Sequence, residues 1–172
     1  DTENILDHHF LNSRGAIARF DRNAIEIRVI DIQECPKADM AIAVLIIEVL
    51  KSLVSEELIS LEDQKQWHEN DLFEIFDKVI VDAEETKLTN PGYLAVFDLH
   101  REASVQEIWK KLYLRVKENI SENYREAIET ILYNGSLSTR ILRALGEDPS
   151  EEKILETYRE LGNCLEENRL FK

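Results

Sequence analysis

The stretch "AIEIRVIDIQECPKADMAIAVLIIEVL", residues 24–50, changes its pattern halfway. From 24 to 32 apolar and charged residues alternate, the period-two pattern of a strand. Ile25, Ile27 and Val29 fall on one face, and Glu26, Arg28 and Ile30 on the other. The first face wants a core. The second wants water, an ion pair or a ligand. Pro36 then suits a first helical turn, where its missing N–H costs nothing. Residues 37–57 carry apolar side chains on nearly every face, which predicts a central buried helix.

Working outward, "RGAIARF" at 14–20 reads as a strand and "DRN" at 21–23 as a turn, since Asp and Asn tolerate turn dihedrals. With 24–32 this makes an antiparallel hairpin. Residues 60–85 read as one helix, with Ser60 and Asp63 as an approximate capping box and a stripe of Leu72, Phe73, Phe76, Val79 and Ile80. "TNPGYLAVF" is a turn into a short helix. Ser104 caps "VQEIWKKLYLRV", and Ser121 caps "ENYREAIETILYN", closed by Gly135. Ser136 opens "LSTRILRAL", closed by Gly146, and Pro149 or Ser150 starts the last helix.

The expected fold is therefore α+β, mostly α. About six helices pack with a small N-terminal hairpin, residues 1–36 carrying the hairpin and 37–172 the helices, in one compact domain. Two-stranded hairpins rarely stand alone. Either the helices cover this one, or it belongs to a larger sheet.

A chain of 172 residues, 44% hydrophobic and 33% charged, is long enough for a real core and too apolar for disorder. Its formal charge of -14 disfavours nucleic acid, which asks for a clustered basic face. "SEELISLED" reads as a solvated helix surface. The most apolar run, "MAIAVLIIEVL", contains Glu48 and is too short to cross a bilayer. Cys35 and Cys164 lack CxxC spacing, which fits a cytoplasmic protein with free thiols. The chain opens on Asp1 without a signal-peptide pattern, as a piece of a longer protein would.

Most chemical candidates have bland readings. His8 and His9 beside Asp7 are adjacent residues that cannot easily close one tetrahedral metal site. His68 reads as a helix residue near the surface, His100 as a loop residue, and Trp67 and Trp109 as core residues of their helices. Cys35, between Glu34 and Pro36, is a poor setting for a thiolate. No GxGxxG, GxxxxGK[ST], GxSxG or HExxH occurs. Glu26 and Arg28 stand apart. As a surface ion pair they do nothing chemical. As a site, a carboxylate takes Mg²⁺ through oxygen, and an arginine beside it grips a phosphate bidentately.

The run "AIEIRVIDIQECPKADMAIA" resembles the Glu-x-Arg strand of the glutamate–cysteine ligase superfamily, in particular the bacterial carboxylate–amine ligases of its second group. There such a strand is followed by an Asp three residues on, a Pro-containing turn and a long apolar helix. Here these are Glu26, Arg28, Asp31, Pro36 and the helix from Lys37. The ending "GSLSTRILRALGEDPSEEKILETYRELGNCLEENRLF" is similar to the C-terminal region of these proteins. The resemblance implies part of a glutamine-synthetase-like fold and an ATP-dependent ligase that forms an amide through an acyl-phosphate. It implies Glu26 as a Mg²⁺ ligand and Arg28 as the residue that contacts ATP and the transferred phosphoryl group. Asp31 and Gln33 are implied as possible neighbours.

In that family most metal carboxylates and substrate residues lie in an N-terminal portion that this sequence lacks. The expectation is a C-terminal portion, inactive alone, whose partner is the N-terminal half of the same ligase. The alternative is a non-catalytic acidic helical interaction domain.

Overall fold

A computed structural model describes residues 15–172. Asp7, His8 and His9 lie outside the described residues. The chain forms two compact units, residues 1–32 and 33–172. The boundary falls ahead of the expected break after Pro36, because Gln33 and Glu34 already belong to the helices. The Gln33 N–H donates to Asp39 Oδ1 at 3.0 Å, and the Glu34 side chain is buried.

The first unit is the hairpin. Strand β1, Ala16–Arg19, pairs antiparallel with β2, Ala24–Ile27, in the register Ile17↔Glu26 and Arg19↔Ala24. Between them runs a 3-10 turn, Phe20–Arg22, ended by Asn23 in the left-handed conformation at φ 48. Asn is among the residues that adopt it at little cost. Both strands are shorter than the alternation suggested. The face that carries Ile25 and Val29 is also not a core, since these are 60% and 55% exposed. A sheet of two strands gives this face only Ala16 and Ala18 as cross-strand company. The buried residues of the hairpin, Ile17 and Arg19, lie instead on the face of Glu26.

The second unit makes the protein α+β and mostly α. Among the described residues there are eight α-helices rather than about six, and a second small antiparallel ladder. Helix α1, Pro36–Val54, buries one face through Ala38, Ala41, Leu45, Glu48 and Val49. Met40, Ile47 and Val54 are exposed, so α1 is not buried on every side. The helix expected over 60–85 breaks into α2, Leu61–Gln66, and α3, Glu69–Asp82. Trp67 is extended at the break, and the His68 imidazole accepts the Asn70 N–H at 3.3 Å, starting α3 afresh. The expected stripe of α3 is open too. Ile75 packs on the core, but no residue of α3 is buried, and Leu72, Phe73 and Ile80 are exposed.

Strands β3, Lys87–Leu88, and β4, Ala103–Ser104, flank the short α4, Pro91–Ala95. Helices α5, Val105–Val116, and α6, Glu122–Asn134, pack on α1 around Ile108, Leu112, Tyr113, Ala127 and Ile128. Ser104 closes a full capping box with Glu107, whereas Ser121 holds the N-cap position of α6 without a side-chain bond. Helices α7, Leu137–Leu145, and α8, Glu151–Glu167, are capped by Ser136 and Ser150. Trp109 packs against the core from α5, as expected. Trp67, from the break, meets Tyr93 edge-on at 5.8 Å. Among the described residues no helix is long and apolar enough to cross a membrane.

Candidate functional site

Glu26 and Arg28 stand two residues apart on one face of the hairpin, and the backbone brings them into direct contact. Arg28 Nε lies 2.7 Å from Glu26 Oε1. The register adds a third member that the sequence reading had assigned only to the strand. Arg19 is diagonal to Glu26 across the ladder, a distance that long side chains span. Its Nη1 lies 2.7 Å from Glu26 Oε2. Its Nε and Nη2 donate to the two oxygens of Asp21, both at 3.1 Å. The result is a chain of alternating charge, Asp21–Arg19–Glu26–Arg28. Arg19 is 8% exposed, while Asp21 faces solvent.

The electrostatics follow from these bonds. Hydrogen bonds from Arg19, then from Arg28, hold the Glu26 carboxyl below its ordinary value. The bond from Arg19 does the same to Asp21. In return Asp21, then Glu26, raise the Arg19 guanidinium.

This geometry bears on the metal expected at Glu26. Each Glu26 oxygen already accepts from a guanidinium. Among the described residues no three His, Cys, Asp or Glu side chains are grouped to hold a metal ion. The described residues therefore do not fit a Mg²⁺ site by themselves. The hairpin also carries two guanidiniums, Arg28 bonded to Glu26 and Arg19 bonded to Glu26 and Asp21. Asp31 is exposed on the segment after β2, and the Gln33 amide is engaged with Asp39. His68 caps α3, and His100 is exposed in a loop. Two surface depressions line the helical unit. One, of about 260 Å³, lies by Ser52, Leu58, Arg115 and Asn119, and the other, of about 550 Å³, lies by Lys37, Met40, Tyr124 and Asn168. Their cations are taken, Arg115 by Asp98 and Lys37 by Glu126.

The sequence reading missed a second charged centre. Glu34 and Arg140, 4% and 3% exposed, form an ion pair in which Arg140 Nη1 lies 2.7 Å from Glu34 Oε1. Every further polar group there is used. Arg140 Nη2 reaches Glu34 Oε2 at 3.4 Å, and its Nε donates to the Gly135 carbonyl at 3.2 Å. Arg140 Nη1 also donates to the Phe171 carbonyl, whose own N–H donates to Glu34 Oε1 at 3.2 Å. No local pattern signals a pair separated by 106 positions. A fully buried, fully bonded pair of this kind reads as architecture, tying the start of α1 to α7 and the C-terminal tail.

No family model matches the chain, and no solved structure matches it. An uncharacterized protein of Archaeoglobus fulgidus is 29% identical over 170 residues, which is 97% of this chain and 39% of that relative. The chain thus spans about two fifths of the length of the relative it matches.

Proposed function

We propose that the chain is the C-terminal portion of an ATP-dependent carboxylate–amine ligase of the glutamate–cysteine ligase type, working in the cytoplasm and inactive alone. The observation that carries this reading is the contact of Glu26 with Arg28 at 2.7 Å on a hairpin face where Arg19 stands beside them. Preorganised guanidiniums suit the charge that spreads over a transferring phosphoryl group. Arg28 is the residue assigned to ATP and to the transferred group, with Arg19 as its neighbour. Glu26 becomes available to Mg²⁺ only when a guanidinium releases an oxygen. The remaining oxygen ligands, and the carboxylate and amine sites, would come from the N-terminal half. A matched relative more than twice as long leaves room for such a half.

The closed charge chain from Asp21 to Arg28 favours a second reading, a non-catalytic acidic interaction domain with a structural ion-pair network. Kinetics of the longer polypeptide separate the two. Arg28→Lys keeps the charge and loses the planar fork. On the ligase reading kcat falls ~100-fold or more while ATP affinity changes little, since the contact is strongest in the transition state. Glu26→Gln lowers turnover as well. Near-wild-type kcat in both variants would rule the ligase site out.

A further inference from the structure

Helix α3 departs from the rule that a surface helix turns its apolar residues inward. Ile75 packs on the core, yet Phe73 and Ile80 are 61% and 63% exposed, and Val81 is exposed next to them. Phe73, Phe76 and Ile80 are spaced three and four residues apart, so they line up along the helix. Phe76, half-buried, is the middle of the line. A single apolar side chain on a surface is ordinary, whereas a continuous line of them marks a place where another element packs.

The setting of this line is acidic. Glu69 and Asp77 stand four residues before and after Phe73 and are therefore its surface neighbours. Glu69, Asp71, Glu74, Asp77 and Asp82 are all exposed, and among the described residues no lysine or arginine pairs with any of them. Lys78 is the one cation of the helix. On α5 and α6, by contrast, Glu107, Glu126 and Glu129 each have a cationic partner. Two copies of α3 laid face to face would bring the carboxylates together, so like charge works against a second copy of the chain. An anionic membrane surface is disfavoured for the same reason. A cationic partner gains from each of these groups.

We propose that this face of α3 is a docking surface for a basic amphipathic helix. The partner lays Leu, Ile or Phe against Phe73, Phe76 and Ile80, and carries Lys or Arg opposite Glu69, Glu74 and Asp77. The occupant is a helix because spacing by three and four is the seam along which two helices interlock, the side chains of one filling the holes between those of the other. With 14 residues, α3 supplies about two heptads of that seam. The flanking charges steer the encounter and fix the register. The surface uses no residue of the hairpin, and the proposal stands whether or not the chain belongs to a ligase.

The test titrates the full chain into a dye-labelled three-heptad peptide with Leu at a and d and Lys at e and g, read by fluorescence anisotropy. The expected result is saturable one-to-one binding. It should weaken about tenfold or more as sodium chloride rises from about 0.05 to about 0.5 M, since exposed charges are screened. Phe73→Ser and Ile80→Ser should each weaken it ~10-fold or more, in line with the loss of one buried apolar side chain. Both residues are open to solvent, so the variants should keep the far-UV circular dichroism of the wild type. Leu165→Ser, at an exposed site on α8, should bind as the wild type does. Absence of saturable binding, undiminished binding by the Phe73 and Ile80 variants, an equal loss in Leu165→Ser, or equal binding of the same peptide with Glu in place of Lys would overturn the proposal. So would a dimer of the chain alone that Phe73→Ser dissolves in sedimentation equilibrium, which makes a second copy the occupant. Binding to neutral lipid vesicles that depends on Phe73 would overturn it too, in favour of a bilayer.

Discussion

Glu34 and Arg140 show what a buried charge requires of its neighbours. Removing ions from water costs several kcal/mol each, and attraction restores it only when every lone pair and proton is used. Here Gly135 and Phe171 complete the set. Arg140→Met leaves Glu34 buried without its partner and should destabilise the chain by about 3–5 kcal/mol. Replacing both by Met should cost clearly less than the sum of the single changes, because no uncompensated charge remains. Urea unfolding of the four species measures the difference. The charges on the hairpin lie nearer to water and act through pH. Glu26 and Asp21 have lowered carboxyl values in the folded chain, so the stability they lend is complete above the ordinary carboxylate value of about 4. It is lost as pH falls through their lower folded-state values. Cross-strand nuclear Overhauser contacts between Ile17 and Glu26 should therefore persist from neutral pH to about 4 and fade below it. Their loss between pH 7 and 5 would contradict the network as the hairpin's fastening.

At the scale of elements, caps account for much of what the sequence disclosed. Ser104 and Ser136 were legible as helix starts, and Ser150 as one of two choices with Pro149, because a small hydroxyl ahead of an apolar period has one good use, and all three serines accept a helical N–H. Ser121 looked the same and makes no such bond. The two should part on mutation. Ser104→Ala is expected to cost about 1 kcal/mol and Ser121→Ala less than about 0.5 kcal/mol. The glycines that end α6 and α7 differ in the same way. A Cβ at Gly135, φ 94, would meet Glu84 Oε1 at 2.6 Å and Thr139 Cγ2 at 2.8 Å, while one at Gly146, φ 79, meets nothing within 4 Å. Gly135→Ala should thus be the more destabilising by ~1 kcal/mol or more, since clash adds to backbone strain. The break at Trp67 escaped the sequence reading because the run from Glu62 to Asp71 holds neither glycine nor proline, and Trp67 is its one apolar residue. Only His68 acting as a cap, an unusual role for imidazole, marks it. Alternation gave the hairpin correctly but not the side that is covered. Ile25 looks like core in sequence and is open, while Arg19 looks like surface and is covered. Which face of a strand is buried depends on what lies above it, and local pattern does not carry that.

For the whole molecule, Glu26 and Arg28 were legible as a pair because period two makes them share a face. Arg19 was not, because its part in the cluster depends on register. The functional consequence rests on what one hairpin can supply. Phosphoryl transfer with Mg²⁺ needs several oxygen ligands and a positioned acceptor. The hairpin brings one central carboxylate, both of whose oxygens are held by guanidiniums 2.7 Å away. Loss of either guanidinium bond would free one oxygen, still short of the ligand set a metal needs. The guanidiniums of Arg19 and Arg28 are engaged in the same way, with Glu26 and Asp21, so a phosphate has to displace a carboxylate to reach them. The chain alone should accordingly produce no ADP above background from ATP, glutamate and an amine, over a range of Mg²⁺ concentrations. Far-UV circular dichroism of the same sample should show a mostly helical fold, so that silence cannot be ascribed to unfolding. ADP formation dependent on both glutamate and amine would mean that the described residues complete a site by themselves, and the division of labour proposed for Arg28 and the N-terminal half would fall.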